Sequence, residues 1–524
     1  MARPGFVHEV NDRTPELIVH QGTGFRRQEF PLGTQVLYAP EPRAGMPTAR
    51  PAIRRALSEP LDGTPLADRL RPGMRLAIAV SDTSSVVPPM GAPDVRGVVI
   101  EEVLNAAAAA GVDDVEIIVA RGLNRRLDEH ELRAVLGDRV LDAFAAEGRI
   151  SQHDAEDAGK LAEVGTAAGP TAEGSEGEIG VAINARAAQA DLLVTVVATS
   201  DGRLSGPGFL IHGLGSTATV RADRGLAGQR DGEVAARLGA VAAGAVDVFA
   251  VEAVLDTNAF HRRLGFLNKR EWEWSLKDQA TLNTLRLGQR AVGSRGRERL
   301  LQRAAADTRV VSVRAGSPAT VGAATVAEVD QQRLISVDGQ ADVLITGTGY
   351  VSPYGVGSLL NPLLAAHLAL GTAYGSHTGT PLVRDGGAMI IFHPATPTFH
   401  HRHHPATADF FADVLSDTTD AADMARHEER YAADDWYRHL YSDSEAYHGL
   451  QPFHLWYETE AARAALGDVV WVGGDRAVCD RMGFRAASTL HDALEIVRAG
   501  VGGDPRLAYL HNPPYALADV TVAP

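Results

Sequence analysis

MRLAIAVSDTSSVVPPMGAPDVRGVVIEEVLNAAAAAGVDDVEIIVARG, residues 74–122, is the stretch whose pattern decides the fold. Its first part, 74–81, is a short and almost wholly apolar run. Such continuity suits a strand buried on both faces better than one with a solvated side. Residues 95–111 then read as a helix closing at Gly111, where glycine takes up a left-handed end at little cost. A second apolar run follows at 115–122, and 127–137 (LDEHELRAVLG) reads as another helix closed by glycine. Strand and helix alternating in this way imply parallel pairing, because a strand returns parallel to its predecessor only through a crossover.

The rhythm extends outward from there. Strands are expected at 189–199 and 246–256. Beyond an arginine-dense stretch at 286–307, containing an amphipathic helix, further strands are expected at 308–315, 341–349, 387–394, 468–474 and 507–511. Residues 159–178, rich in Gly, Ala, Thr and Glu, read as a surface loop. The expected fold class is α/β, with two domains of largely parallel sheet flanked by helices and a ligand cleft between them. A chain of 524 residues supports two cores, and the domains are placed at 1–295 and 296–524.

Acidic residues outnumber basic ones by 66 to 50, for a formal charge of −16. That balance disfavours nucleic acid and anionic membrane as partners. It leaves a small hydroxy acid or related anion in a local pocket as the partner expected; the oligomeric state is left open. The most apolar long stretch, 235–255, carries Arg237, Asp247 and Glu252, so it reads as buried helix and strand and not as a membrane span. The single cysteine, Cys479, excludes an internal disulfide and a cysteine zinc cluster, and reads as a packing residue. With no apolar run near the first residues, the cytoplasm is the compartment expected. No G-x-x-x-x-G-K-[ST] loop or G-x-S-x-G elbow occurs.

Four segments hold residues with chemistry to offer. Residues 393–405, HPATPTFHHRHHP, place His400, His401, His403 and His404 as metal-ligand candidates, since imidazole suits several transition metals. If the segment is extended, His401 and His403 face one side; a solvated loop bounded by prolines is the alternative. His153 beside Asp154 is a candidate for proton transfer, against a loop pair in which the aspartate caps a helix. Residues 431–457 concentrate aromatic side chains around His439, His448 and His454; the segment is either an aromatic-packed cap or the lining of a cleft that uses His448. In KREWEWSLKD, 269–278, a helix would align Lys269, Glu273 and Lys277, while Lys269 or Arg270 could reach a cleft to hold an anion.

Several short motifs, taken in order, resemble the lactate racemase family. They are Ser81-Asp82-Thr83-Ser84 after a strand, then Ala120-Arg121-Gly122 with Arg125 and Glu131-Leu132, then His153-Asp154, Gly165-Thr166, Ile183-Asn184 and Ala190-Asp191-Leu192. Ser205-Gly206-Pro207-Gly208 follows, with Asn361-Pro362 and Gly386-Gly387 in the second half. The resemblance covers most of the chain and implies an isomerase. Its founding enzymes use a nickel-pincer nucleotide anchored on a lysine, a histidine ligand to nickel, and two histidine bases. It also implies a cradle in which Asp82, Ser84, Ser205, Gly206 and Gly208 hold the cofactor or a nucleotide-like ligand, with Arg125 beside it in a catalytic role together with His153 and His448.

The chain departs from that pattern where the chemistry is most demanding. The substrate-gripping arginine of the family aligns with Ser85, the first base with Asn124 and the second with Thr199. The anchoring lysine aligns with Phe209 and the nickel ligand with Arg224; His212 lies three residues beyond Phe209. Phenylalanine cannot form a thioamide, and neither threonine nor asparagine accepts a proton near neutral pH as imidazole does. Two functions follow as expectations: an isomerase of altered mechanism acting on a small 2-hydroxy acid, or a non-catalytic binding protein on the same scaffold. An imidazole from 393–404 or 439–454 reaching Asp82 and Arg125 would favour the first.

Overall fold

The computed structural model describes residues 3–83, 90–170, 176–293, 296–297, 306–349, 361–375, 378–511, 513 and 515–522. Its strands run β1 (Phe6–Glu9), β2 (Leu17–Gln21), β3 (Gly24–Gln28), β4 (Gln35–Tyr38), β5 (Arg75–Ser81), β6 (Asp114–Ala120), β7 (Ile150–Gln152), β8 (Leu161–Pro170), β9 (Glu176–Asn184), β10 (Leu192–Thr199) and β11 (Val248–Leu255). The second half adds β12 (Val310–Gly316), β13 (Leu334–Asp338), β14 (Ala341–Gly347), β15 (Val383–Phe392), β16 (Asp468–Val472), β17 (Arg485–Ala487), β18 (Leu507–His511) and β19 (Leu517–Thr521).

Two large sheets carry the molecule. The first has the order β12-β11-β10-β5-β6-β7, parallel except where β12 meets β11. The second has the order β1-β4-β18-β14-β15-β16-β17, parallel except where β1 meets β4. The apolar runs are central strands: in β5 every residue after Arg75 is buried, and β11 is buried throughout. Helices close where their capping residues predict. Asp94 accepts from the Arg96 N–H at the start of Val95–Ala109, and Asp128 with Glu131 forms a capping box on Glu129–Leu136. Gly111 and Gly137 adopt positive φ after them, at 71° and 82°.

The sheets exchange strands across residue 295. β1 and β4, from the first forty residues, complete the second sheet, where β4 pairs in parallel with β18. β12 returns to the first sheet, where it pairs with β11. The segment read as a surface loop, 159–178, instead contains β8 and the start of β9, two strands that pair antiparallel from Leu161 opposite Asn184 to Pro170 opposite Glu176, while residues 171–175 lie outside the described residues. The inward residues Val181 and Ile183 of β9 are buried in the core with Phe209 and Leu210; alternation on one face of a ribbon is easily hidden by small residues. Among the described residues no helix is long and apolar enough to cross a membrane. Cys479 is a free, buried packing residue, with burial pushing its thiol up to about 12.

Candidate functional site

A cleft of about 710 Å³ opens between the two sheet systems. Its first wall is built by the β6 turn (Leu123, Asn124), the loop after β10 (Asp201 to Leu204) and the helices Gly208–Leu214 and Thr217–Arg224, which carry His212, Val220, Asp223 and Arg224. Its second wall comes from the helix Pro318–Arg333, from Gly371 and Thr372, from Glu458 and from β19. Strand carboxyl ends and helix termini face it, as open parallel sheets place their ligands.

Charge is concentrated in this cleft. Glu458 is the hub: it pairs with the Arg224 guanidinium, with Arg203 at 3.4 Å and with the His367 Nδ1 at 3.3 Å. The flanking cations hold the Glu458 carboxyl below its ordinary range against the opposing effect of burial. Burial lowers His367 to about 4. Arg203 also donates to the Thr372 hydroxyl at 2.9 Å, so both walls are bridged by arginine. His212 Nε2 lies 2.8 Å from Asp223 Oδ2, and the ring is partly exposed to the cleft. A carboxylate on one ring nitrogen fixes orientation and leaves the other to act on a ligand. His212, spare in the motif alignment, is thus the imidazole the fold delivers to the cleft.

The residues expected to be catalytic go elsewhere. His153 is buried, with Nε2 held 2.9 Å from the Gly215 carbonyl oxygen and burial pushing it down to about 4. His448 is buried too. Its Nε2 meets Glu156 Oε1 at 2.8 Å and its N–H donates to the Leu123 carbonyl, so it ties the second half of the chain to the first. Arg125 is occupied by the Glu131 carboxylate through both terminal nitrogens, one at 2.7 Å. These three side chains are structural pins, and none lines the cleft.

The expected cofactor cradle is divided. Asp82 is buried and accepts from Asn124 Nδ2 at 2.9 Å, so the position aligned with the first base serves to hold the Asp82 turn. Ser84 and Ser85 lie outside the described residues. The Ser205 to Gly208 loop is packed against the helix Pro318–Arg333: a Cβ on Gly206 would sit 3.1 Å from the Pro318 oxygen. Gly206 donates its N–H to the buried Glu252 at 2.7 Å, and Gly208 opens a helix. The Ser205 and Gly206 amides that would cradle a phosphate here are consumed by protein.

The histidine-rich segment forms a turn and not an extended strand. His404 donates its N–H to the His400 carbonyl, and the His400 and His403 rings lie 3.9 Å apart. His401 is exposed, while His404 is buried against Tyr447, with burial lowering it to about 3. Burial and the Arg125 charge lower His403 to about 2. The segment therefore reaches Arg125 but faces it from inside the interface. Among the described residues no group of three or more His, Cys, Asp or Glu is arranged to hold a metal ion. The aromatic segment behaves as the packed cap: Tyr441 donates to the Gly122 carbonyl at 2.6 Å, and Arg121 sits 3.9 Å over its ring. In KREWEWSLKD, Lys269 pairs with Asp278 and Arg270 lies over Phe6, so neither reaches the cleft. Sequence reasoning missed Glu271 there. It is buried and bonded to the Ile18 N–H, the Tyr38 hydroxyl and His511.

These residues do not fit the nickel-pincer nucleotide. Phe209, at the anchoring position, is 1% exposed in the core beside the strand pair β8-β9. Arg224, at the ligand position, is engaged by Glu458 and has no lone pair for nickel. Thr199 accepts from the N–H groups of Asp201 and Gly202 and donates to the Asp201 carboxylate.

Comparison with known proteins matches residues 24–200 to the lactate racemase N-terminal domain. The structure is similar to that of the lactate racemase apoprotein from Thermoanaerobacterium thermosaccharolyticum, with a TM-score of 0.60 at 17% identity, over 97% of this chain and 100% of that one. It is also similar to a protein from Thermotoga maritima, with a TM-score of 0.51 at 15% identity, over 91% of this chain and 100% of that one. No curated protein matches the chain by sequence.

Proposed function

We propose that the chain, whose residues 24–200 match the lactate racemase N-terminal domain, binds a small 2-hydroxy acid or related anion in the interdomain cleft and acts on it as an isomerase of altered mechanism. The observation that carries this is the pairing of His212 with Asp223 on a cleft wall that also presents Arg203 and Arg224. Both arginines are held by Glu458, and Arg203 also by Thr372, so a ligand carboxylate would share their planar donors with that side chain. Among the described residues His212 Nδ1 makes no hydrogen bond, so it is the nitrogen that would take a proton from the bound acid and return it.

A second function, binding without turnover, is favoured by one specific feature: neither Asn124 nor Thr199 provides a base, so His212 stands alone. The test is to incubate the protein with single enantiomers of 2-hydroxy acids in D₂O. Inversion or exchange at the hydroxyl-bearing carbon is expected, with loss in His212→Asn. Binding by calorimetry with no inversion or exchange would establish the second function. Absence of binding for the whole series would remove the cleft from consideration.

A further inference from the structure

The cleft is larger than a lactate-sized acid requires. Its volume of about 710 Å³ falls in the range that takes ligands of drug size, ~300–1,000 Å³. His212, Asp223 and Arg224 come from one wall, on the helices Gly208–Leu214 and Thr217–Arg224. On the other wall, the last two turns of the helix Pro318–Arg333 contribute Val326, Asp330 and Arg333, beside Leu334, Leu517 and Asp519.

Arg333 is the unusual member of that wall. It is 4% exposed; the Asp201 and Asp330 charges act on it, yet no carboxylate comes within ion-pair distance of it among the described residues. Its one hydrogen bond there is long, 3.4 Å from Nη1 to the Asp201 carbonyl oxygen, and its Nε has no partner. A buried guanidinium is costly unless its donors are met. The other buried arginines of this region have closer partners: Arg125 pairs with the Glu131 carboxylate, although its Nε too has no partner, and Arg121 donates to the His153 and Asn124 carbonyls. Asp330 and Asp519 line the same end of the cleft; Asp330 interacts with Arg333 only electrostatically, without an ion-pair contact, and both carboxylates suit hydroxyl donors on a ligand.

We propose that Arg333 is the anchor of a second anion subsite, and that the ligand of this cleft is an extended hydroxy acid carrying a further acidic group, carboxylate or phosphate, at its far end. This rests on the function proposed above, since it assumes that the near end of the ligand meets His212 and Arg224. A guanidinium binds either group through parallel N–H donors. Arg333 then determines specificity by length, because a short acid cannot span both ends.

Isothermal titration of the full chain separates the possibilities. Gluconate is compared with glucarate, which adds a terminal carboxylate, and with 6-phosphogluconate, which adds a terminal phosphate. At least one doubly acidic ligand is expected to bind about ten- to a hundredfold more tightly than gluconate, the scale of one charged hydrogen-bonded contact; which one does so identifies the terminal group. Arg333→Gln should abolish that advantage and leave gluconate affinity unchanged, with Arg333→Lys retaining part of it. Gluconate binding with no advantage for either doubly acidic ligand would overturn the subsite while leaving the proposed function standing. An equal loss for all three ligands in Arg333→Gln, with folding intact by circular dichroism, would also overturn it. Failure of all three to bind the wild-type chain would defeat both.

Discussion

At the scale of single residues, the chain shows how a charged side chain can be legible as a letter and illegible as a role. Glu271 sits in a run of alternating charge and tryptophan, where a solvated stripe is the ordinary outcome. In the structure it is among the most committed residues of the molecule, meeting a backbone N–H of β2, a hydroxyl of β4 and an imidazole of β18. Glu271→Ala would strand three buried polar groups at once, and a loss of about 3–5 kcal/mol is expected from urea unfolding; a loss within about 0.5 kcal/mol would show the site to be water-accessible. His212 is the opposite case. It is partly exposed, and its partner Asp223 lies on the next helix, so His212→Asn should cost no more than about 1 kcal/mol of stability while removing turnover. A large drop in melting temperature would mean that the pair is structural.

At the scale of elements, the cleft is shaped by close approach of backbones. Gly122 follows β6 at φ 49°, and a Cβ there would lie 1.7 Å from the His212 carbonyl oxygen. Its N–H donates to the Gly213 carbonyl at 2.9 Å. The turn after β6 and the helix Gly208–Leu214 are thereby locked together, and the catalytic imidazole proposed here is carried on that lock. Gly122→Ala should displace the helix, cost about 1–3 kcal/mol, and weaken ligand binding more than His212→Asn does. Equal affinity to wild type by calorimetry would count against this coupling. The glycine was visible in the sequence as part of a motif, but the carbonyl it admits comes from ninety positions along the chain. The strand pair β8-β9 was missed for a related reason: Gly and Ala dilute the alternation that marks a strand, and only burial against Phe209 and Leu210 reveals its inner face.

At the scale of the whole molecule, the two sheets are interleaved. A fragment spanning 296–524 lacks β4, whose Val36 and Leu37 are fully buried beside β18. It is expected to show no cooperative urea transition, whereas an independent unit would retain one. Acid should also weaken the fold. Burial lowers His153 and His367 to about 4 and His404 to about 3, from an ordinary value of 6.5. The unfolded chain therefore binds more protons than the native one below pH 6.5. Their contribution is complete above that pH and is lost progressively as pH falls through 6.5 toward 3. Melting temperature should decline across that window, and less steeply in His404→Gln; a flat profile would show that these imidazoles are solvated.

The sequence by itself determined the alternation of strand and helix, the parallel pairing, the helix ends and the lactate racemase likeness, because each depends on neighbours within a few residues or on motif order. It also showed that Phe209, Asn124 and Thr199 offer neither an amine nor a base near neutral pH, since that follows from side-chain type alone. Only the tertiary structure decided that the histidines expected to act are buried pins, that His212 faces the cleft with Asp223, and that Arg333 enters it under-paired. Those outcomes turn on burial and on partners from 11 to 292 residues apart, and a side chain's protonation and reach are fixed by its surroundings and not by its place in the chain.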